Sequence, residues 1–279
     1  MGNLKIAVMV HSLRMDLEKG LEWTASMGVP GVHIAVRPGF SPQDMDLAAR
    51  KQYIRHLSDL GLEISAICAW GGGVDLGEPE GLEKNIAAGK ELLSFAADLE
   101  CGIWQGHCGI MPNDQNDPKW GRFVDSFQEL CQHGERVGAR LAIETGPESP
   151  EVLLEMIDAV GSPSLKVNYD PANLILWKAK YMQQAGEPYD REKAFADFKP
   201  VEGVKVLGRH IIHTHAKDAK VFPDIGRKEV PLGEGWIDWP KYVENLRSVG
   251  YQGYFAIERE VGENPAADIS KAIEYLRTL

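Results

Sequence analysis

The strongest limit on what this chain can fold into is a rhythm. Eight short apolar runs rich in β-formers are each followed by a longer connecting stretch, most of them with helical spacing of apolar residues. Alternation with period two marks a strand, and a period near 3.6 marks a helix. Strands are expected at Leu4–Val10, Gly31–Val36, Leu62–Ala69, Gly102–His107, Arg140–Glu144, Leu165–Asp170, Arg209–His215 and Gly253–Glu258. Between them the pattern predicts helices over Asp16–Met27, Gln43–Leu60, Leu82–Leu99, Phe123–Val137, Val152–Val160, Pro240–Val249 and Pro265–Leu279. Gly61 is a C-terminal stop and Ser149-Pro150 a cap with a first-turn proline. Leu174–Pro200 reads as irregular, with a short helix near Arg191–Phe198, and the stretch holding Pro223, Gly226 and Leu232-Gly-Glu-Gly235 as a loop.

Eight strand-then-helix units fit an α/β fold of one kind, the (β/α)₈ TIM barrel, and 279 residues is an ordinary size for one. No linker or composition break divides the chain, so residues 1–279 are expected to form a single domain. A doubly wound nucleotide-binding sheet is disfavoured, because no Gly-x-Gly-x-x-Gly follows the first strand. The formal net charge of −11 argues against nucleic acid or an anionic membrane as partner. Cys68, Cys101, Cys108 and Cys131 contain no Cys-x-x-Cys pair and read as free thiols in a reducing compartment. The N-terminus is apolar for only a few residues before His11 and Arg14, too few for a signal peptide or a membrane span. The expectation is a cytoplasmic protein acting on a small molecule, with homo-oligomerisation compatible.

Barrel active sites lie at the C-terminal ends of the strands. The fifth expected strand ends in Glu144, the sixth in Asp170, the seventh in His215 and the eighth in Glu258. On the seventh, His213 and His215 share a face, with Ile212 and Thr214 opposite. Each residue alone has a structural explanation; Asp170 in Asp-Pro-Ala-Asn, for instance, could cap the next helix. Four consecutive strand ends with a metal-capable side chain point instead to one shared site. Three carboxylates and an imidazole favour Mn²⁺, Mg²⁺ or Co²⁺ over the sets typical of zinc, which stays an option. Cys108 reads as a small buried hydrophobe.

The segments Ala142-Ile-Glu-Thr-Gly146, Asn168-Tyr-Asp-Pro-Ala-Asn173, His213-Thr-His-Ala-Lys-Asp218, Val230-Pro-Leu-Gly-Glu-Gly235 and Tyr254-Phe-Ala-Ile-Glu258 resemble the sugar isomerase/epimerase family of xylose-isomerase-like barrels. That group holds ketose 3-epimerases, hydroxypyruvate isomerase, inosose enzymes and, more distantly, endonuclease IV. The resemblance implies that Glu144, Asp170, His215 and Glu258 bind one divalent metal, Mn²⁺ foremost. It also implies that Glu144 and Glu258 move protons. The chain departs from the pattern at Asn173, where several ketose epimerases have a substrate-contacting histidine, and near His33, where many relatives carry a glutamate.

The chemistry is coherent without the resemblance. Removing a proton next to a carbonyl needs an electrophile on the oxygen and a base near the carbon. Glu144 and Glu258 are the base candidates. Proton return to the opposite face gives epimerisation, and return to the adjacent carbon gives aldose–ketose isomerisation. Substrate contacts are expected from Lys217, His107, Trp70 and Asn173, with His11 and Arg37 as further rim residues. Gly71-Gly-Gly73 lacks the Lys-Ser/Thr of a phosphate loop, which leans the reading to an unphosphorylated sugar. The main alternative is a metal-dependent lyase or dehydratase acting on a 3-keto-sugar or inosose. A repair nuclease would want more ligands and a basic face, and a non-catalytic sugar-binding barrel would have less need for all four.

Overall fold

The computed structural model describes residues 4–223 and 226–279. Eight parallel strands close into a barrel: β1 (Lys5–Met9), β2 (Gly31–Ala35), β3 (Glu63–Cys68), β4 (Ile103–Gly106), β5 (Arg140–Glu144), β6 (Leu165–Tyr169), β7 (Ile211–Ala216) and β10 (Tyr254–Ile257). Neighbours follow chain order, and β1 pairs with β10 to complete the circle. The intervening strands β8 (Asp218–Phe222) and β9 (Gly226–Val230) form a separate antiparallel hairpin after β7.

Around the barrel run α1 (Leu17–Ser26), α2 (Leu47–Asp59), α3 (Leu82–Asp98), α4 (Pro118–Val137), α5 (Pro150–Val160), α6 (Pro171–Gln184), α7 (Arg191–Phe198), α8 (Gly203–Leu207), α9 (Trp239–Ser248) and α10 (Pro265–Leu276). Most of their starts carry a side-chain cap. Asp46, Asp117, Ser149, Asp190, Asp238 and Asn264 each accept a hydrogen bond from a first-turn amide, and proline follows four of these six within two residues. The core between barrel and helices includes Trp104, Phe123, Phe127, Tyr169, Trp239 and Tyr242, all fully buried.

Three stretches differ from the sequence expectation. The start of the irregular stretch is the helix α6, which packs against β8, β9 and α7. A helix covered on more than one side buries apolar residues around its circumference, which weakens the one-sided periodicity. The loop expected before α9 contains the β8–β9 hairpin, whose polar residues obscure alternation. The second helix also starts later than expected, at Leu47, where the Asp46 side chain caps it through Ala49 N.

The residues Lys217-Asp218 and Pro231-Leu-Gly-Glu-Gly235 have a structural reason to occur together. The buried Asp218 carboxylate accepts from Ala219 N at 2.9 Å, Gly233 N at 3.0 Å, Gly235 N at 3.1 Å, Ile237 N at 3.2 Å and Trp239 Nε1 at 3.0 Å. A Cβ on Gly235 would stand 1.9 Å from Asp218 Oδ1. Gly235→Ala should therefore displace a charge-accepting hydrogen-bond hub and cost about 2–4 kcal/mol. A thermal melt within about 1 °C of the parent would contradict that role.

Candidate active site

The C-terminal ends of β5, β6, β7 and β10 bring four chemically matched side chains together. Glu144 ends β5, Asp170 directly follows β6, His215 lies in β7 and Glu258 directly follows β10. All are buried, none more than 8% exposed. His215 Nδ1 lies 3.1 Å from Glu258 Oε2, 3.3 Å from Glu144 Oε1 and 3.5 Å from Asp170 Oδ2. Asp170 also caps α6, its Oδ1 accepting from Asn173 N at 2.9 Å. The capping role and the site role use different oxygens of one carboxylate.

Among the described residues, Asp170 Oδ2 and both nitrogens of His215 are buried without a hydrogen-bond partner. Such atoms are costly unless something satisfies them. Donors sharing a cation at about 2.1 Å stand about 3.0–3.4 Å apart, close to the spacings around Nδ1. The four residues therefore fit a divalent cation by both their spacing and their unsatisfied atoms.

A surrounding layer aims these donors. Asn173 Nδ2 donates to Glu144 Oε1 at 2.7 Å, Gln105 Nε2 donates to Glu144 Oε2, and His107 Nε2 lies 3.3 Å from that same oxygen. Lys217 Nζ donates to Glu258 Oε2 at 3.0 Å, Glu260 Oε2 at 2.5 Å and Asn173 Oδ1 at 3.3 Å. Asp170 Oδ2 is 3.7 Å from the same ammonium.

Electrostatics in the metal-free cluster follow from this crowding. Burial works against the charge of Glu258, but Lys217 and His215 outweigh it and hold the carboxyl well below its ordinary range. Burial likewise opposes Glu144, which His107 and His215 bring to a net lowering. Asp170 is raised, burial being the largest cause. Burial disfavours the His215 cation, yet Glu258 and Glu144 raise it well above its ordinary value.

The residues expected from sequence take distinct places. His107 is partly exposed and touches Glu144. Trp70 is half-buried on the rim, edge-on to Trp104 at 4.6 Å, with a left-handed φ of 61°. That backbone region is strained for an aromatic residue. Asn173 and Lys217 are buried, and their polar ends link Glu144, Glu258 and Glu260. His213 shares the inward side with His215 but is engaged deeper in the barrel, by Asn168 and Ser65. Cys108 is buried, and burial pushes its thiol up.

Sequence reasoning missed Gln105, Glu260 and Glu148. His107 was read from its place at the end of the fourth expected strand, and Gln105, two residues before it, shares its side by alternation, which was the available signal. Glu148, on the loop after β5, is buried and accepts Met111 N at 2.7 Å. Burial pushes its carboxyl from an ordinary 4.5 up to about 7. The folded protein thus holds this proton more tightly than the unfolded chain does. The associated stability is complete below about pH 4.5 and is lost as pH rises to about 7, a change of about 3 kcal/mol. Glu148→Gln keeps an acceptor for Met111 N without the buried charge. It should raise the melting temperature at pH 8 and leave it nearly unchanged at pH 4.5; an equal effect at both would contradict the assignment.

Residues 21–279 match the family model described as xylose isomerase-like TIM barrel. The L-ribulose-5-phosphate 3-epimerase of Escherichia coli O157:H7 (strain EC4115 / EHEC) is 26% identical over 266 residues, covering 92% of this chain and 78% of that protein. A solved xylose isomerase domain protein from Planctomyces limnophilus is 25% identical with a TM-score of 0.77, over 98% of this chain and 95% of that one. A xylose isomerase-like TIM barrel protein from Mycobacterium smegmatis, solved in complex with magnesium, shares the fold at a TM-score of 0.72 and 16% identity, over 100% of this chain and 98% of that one.

Proposed function

This chain belongs to the xylose isomerase-like TIM barrel family, and from that premise we propose that it is a divalent-metal-dependent sugar isomerase or epimerase. The reaction moves a proton α to the carbonyl of a small sugar or keto-sugar. The observation that carries the reading is the convergence of Glu144, Asp170, His215 and Glu258, with Asp170 Oδ2 and His215 Nδ1 buried within ion-pair distance of each other and without a hydrogen-bond partner among the described residues. The oxygen-rich donor set supports Mn²⁺ first, with Mg²⁺, Co²⁺ or Zn²⁺ as alternatives. The names of the curated relatives direct the substrate search towards ketopentoses and their phosphates.

When bound, the cation supplies charge stabilisation to the substrate oxygens of the developing enediolate. The chain's own residues do the rest. Glu144 and Glu258 are ionised at neutral pH and serve as proton carriers. Asn173 and Gln105 fix the Glu144 carboxylate, and Lys217 fixes that of Glu258, so each is held in one orientation before substrate arrives. His107, next to Glu144 and partly open, hydrogen-bonds a substrate hydroxyl, while the half-buried face of Trp70 packs against the sugar carbons.

The test is to load the purified protein with Mn²⁺ and incubate it in D₂O with ketoses, ketose phosphates, 3-keto-glucosides and inososes. Deuterium at one carbon, dependent on about one metal equivalent per chain, is the expected result. Loss of water from the substrate would move the reading to the lyase alternative. No exchange with any of these substrates would count against the whole assignment.

A further inference from the structure

Beneath the four donors lies an imidazole that the proposed reaction does not use. His33, on β2, is fully buried, and among the described residues neither of its ring nitrogens has a hydrogen-bond partner. Its ring centroid is 5.3 Å from that of His215, with 44° between the planes. It is 4.8 Å from that of His213, in a T-shaped approach. His213 has both nitrogens engaged, Nδ1 at 2.8 Å from Asn168 Oδ1 and Nε2 at 3.1 Å from Ser65 Oγ. His215 Nε2 has no partner among the described residues.

A neutral imidazole carries one N–H. His215 faces the three carboxylates with Nδ1, so in the cation-binding form its proton is on Nε2. Leaving that buried donor without an acceptor costs about 1–3 kcal/mol. An N–H···N bond of about 3 Å between two imidazoles places their centroids about 5 Å apart, close to the separation of His33 and His215. The bond requires the His33 ring to turn one nitrogen towards His215 Nε2, and the centroid separation leaves room for it. The contact with His213 is T-shaped, a packing that tolerates a polar ring edge better than a stacked one does.

We infer that His33 is a positioning residue for His215: it accepts the Nε2 proton and so fixes Nδ1 as the nitrogen turned towards the carboxylates. The competing use, a second cation held by His33, His213 and His215, requires His213 to give up Asn168 or Ser65. The inference rests on the metal-site reading of Glu144, Asp170, His215 and Glu258.

Co²⁺ titrations of the whole protein, His33→Gln and His33→Met test it, read by chelator competition and by the visible cobalt spectrum. Glutamine offers an acceptor oxygen; methionine has similar length and offers none of comparable strength. His33→Met should weaken Co²⁺ binding about 10–100-fold and change the spectrum, as loss of a partner behind a ligand histidine does. His33→Gln should stay within about threefold of the parent. Equal affinity in all three proteins, or equal loss in both variants, overturns the role of His33, and two cobalt equivalents in the parent overturn it in favour of a second site. No cobalt binding by the parent overturns the metal reading itself. Nitrogen NMR of the Zn²⁺-loaded parent needs no substitution: protonation of His215 at Nε2 is expected, and protonation at Nδ1 overturns the inference.

Discussion

Replacing Glu258 with glutamine should lower carbon–proton exchange with solvent by about 10²–10⁴-fold, the usual contribution of a positioned base, even with metal saturating. Glu144→Gln should do the same, for a partly different reason. Glu144 accepts from Asn173 Nδ2 on one oxygen and from Gln105 Nε2 on the other. A glutamine there sets an amide NH₂ against at least one of these donors, so one contact breaks and the metal is held more weakly. At Glu258 the new amide faces Lys217, which donates at 3.0 Å in the parent. Metal content therefore has to be measured beside exchange in each variant. If the reaction is epimerisation, each variant should keep exchange from the epimer whose proton faces the intact glutamate. Near-parental exchange in both, with metal bound, would move the proton carriers elsewhere. His107, 3.3 Å from Glu144 Oε2, would then be the first residue to test.

The barrel was legible because period two and period 3.6 alternate so regularly, and because its strands are short and apolar. The convergence of the four candidate residues was legible for a related reason: once strands are assigned, the barrel places every strand end on one rim. What the sequence hid depends on contacts between distant residues. Nothing local indicates that Asn173 will bridge Glu144 and Lys217, partners far from it in sequence. Nothing local separates Lys217 from Asp218 either, yet one side chain turns into the site and the other anchors the loop reaching Trp239. The helix α6 was hidden by the hairpin that covers it, since burial on two sides removes the pattern by which helices are read. Asp170 shows the converse. Capping and metal binding looked like competing explanations of one residue, but the cap uses Oδ1 and leaves Oδ2 turned to the proposed site.

Lys217→Met is expected to have its largest effect on the metal-free protein. The ammonium is buried, 3% exposed, and sits 3.0 Å from Glu258 Oε2, 2.5 Å from Glu260 Oε2 and 3.7 Å from Asp170 Oδ2. Its positive charge and that of His215 offset three buried carboxylates before any metal binds; Glu258 and Asp170 raise the Lys217 pKa well above its ordinary value despite burial. Methionine retains much of the packing and removes the charge. Breaking a buried ion pair from one side costs about 3–5 kcal/mol, which for a chain of this size is a melting-point loss of about 6–20 °C. A divalent cation replaces the missing charge, so added Mn²⁺ should restore more of the melting temperature in the variant than it adds to the parent. Metal affinity should hold or increase, because Glu258 no longer has to leave its ammonium partner. Parallel melts with and without Mn²⁺ decide the matter. If Lys217 acts only on substrate, parent and variant will melt together without metal and gain equally from it, and only turnover will fall.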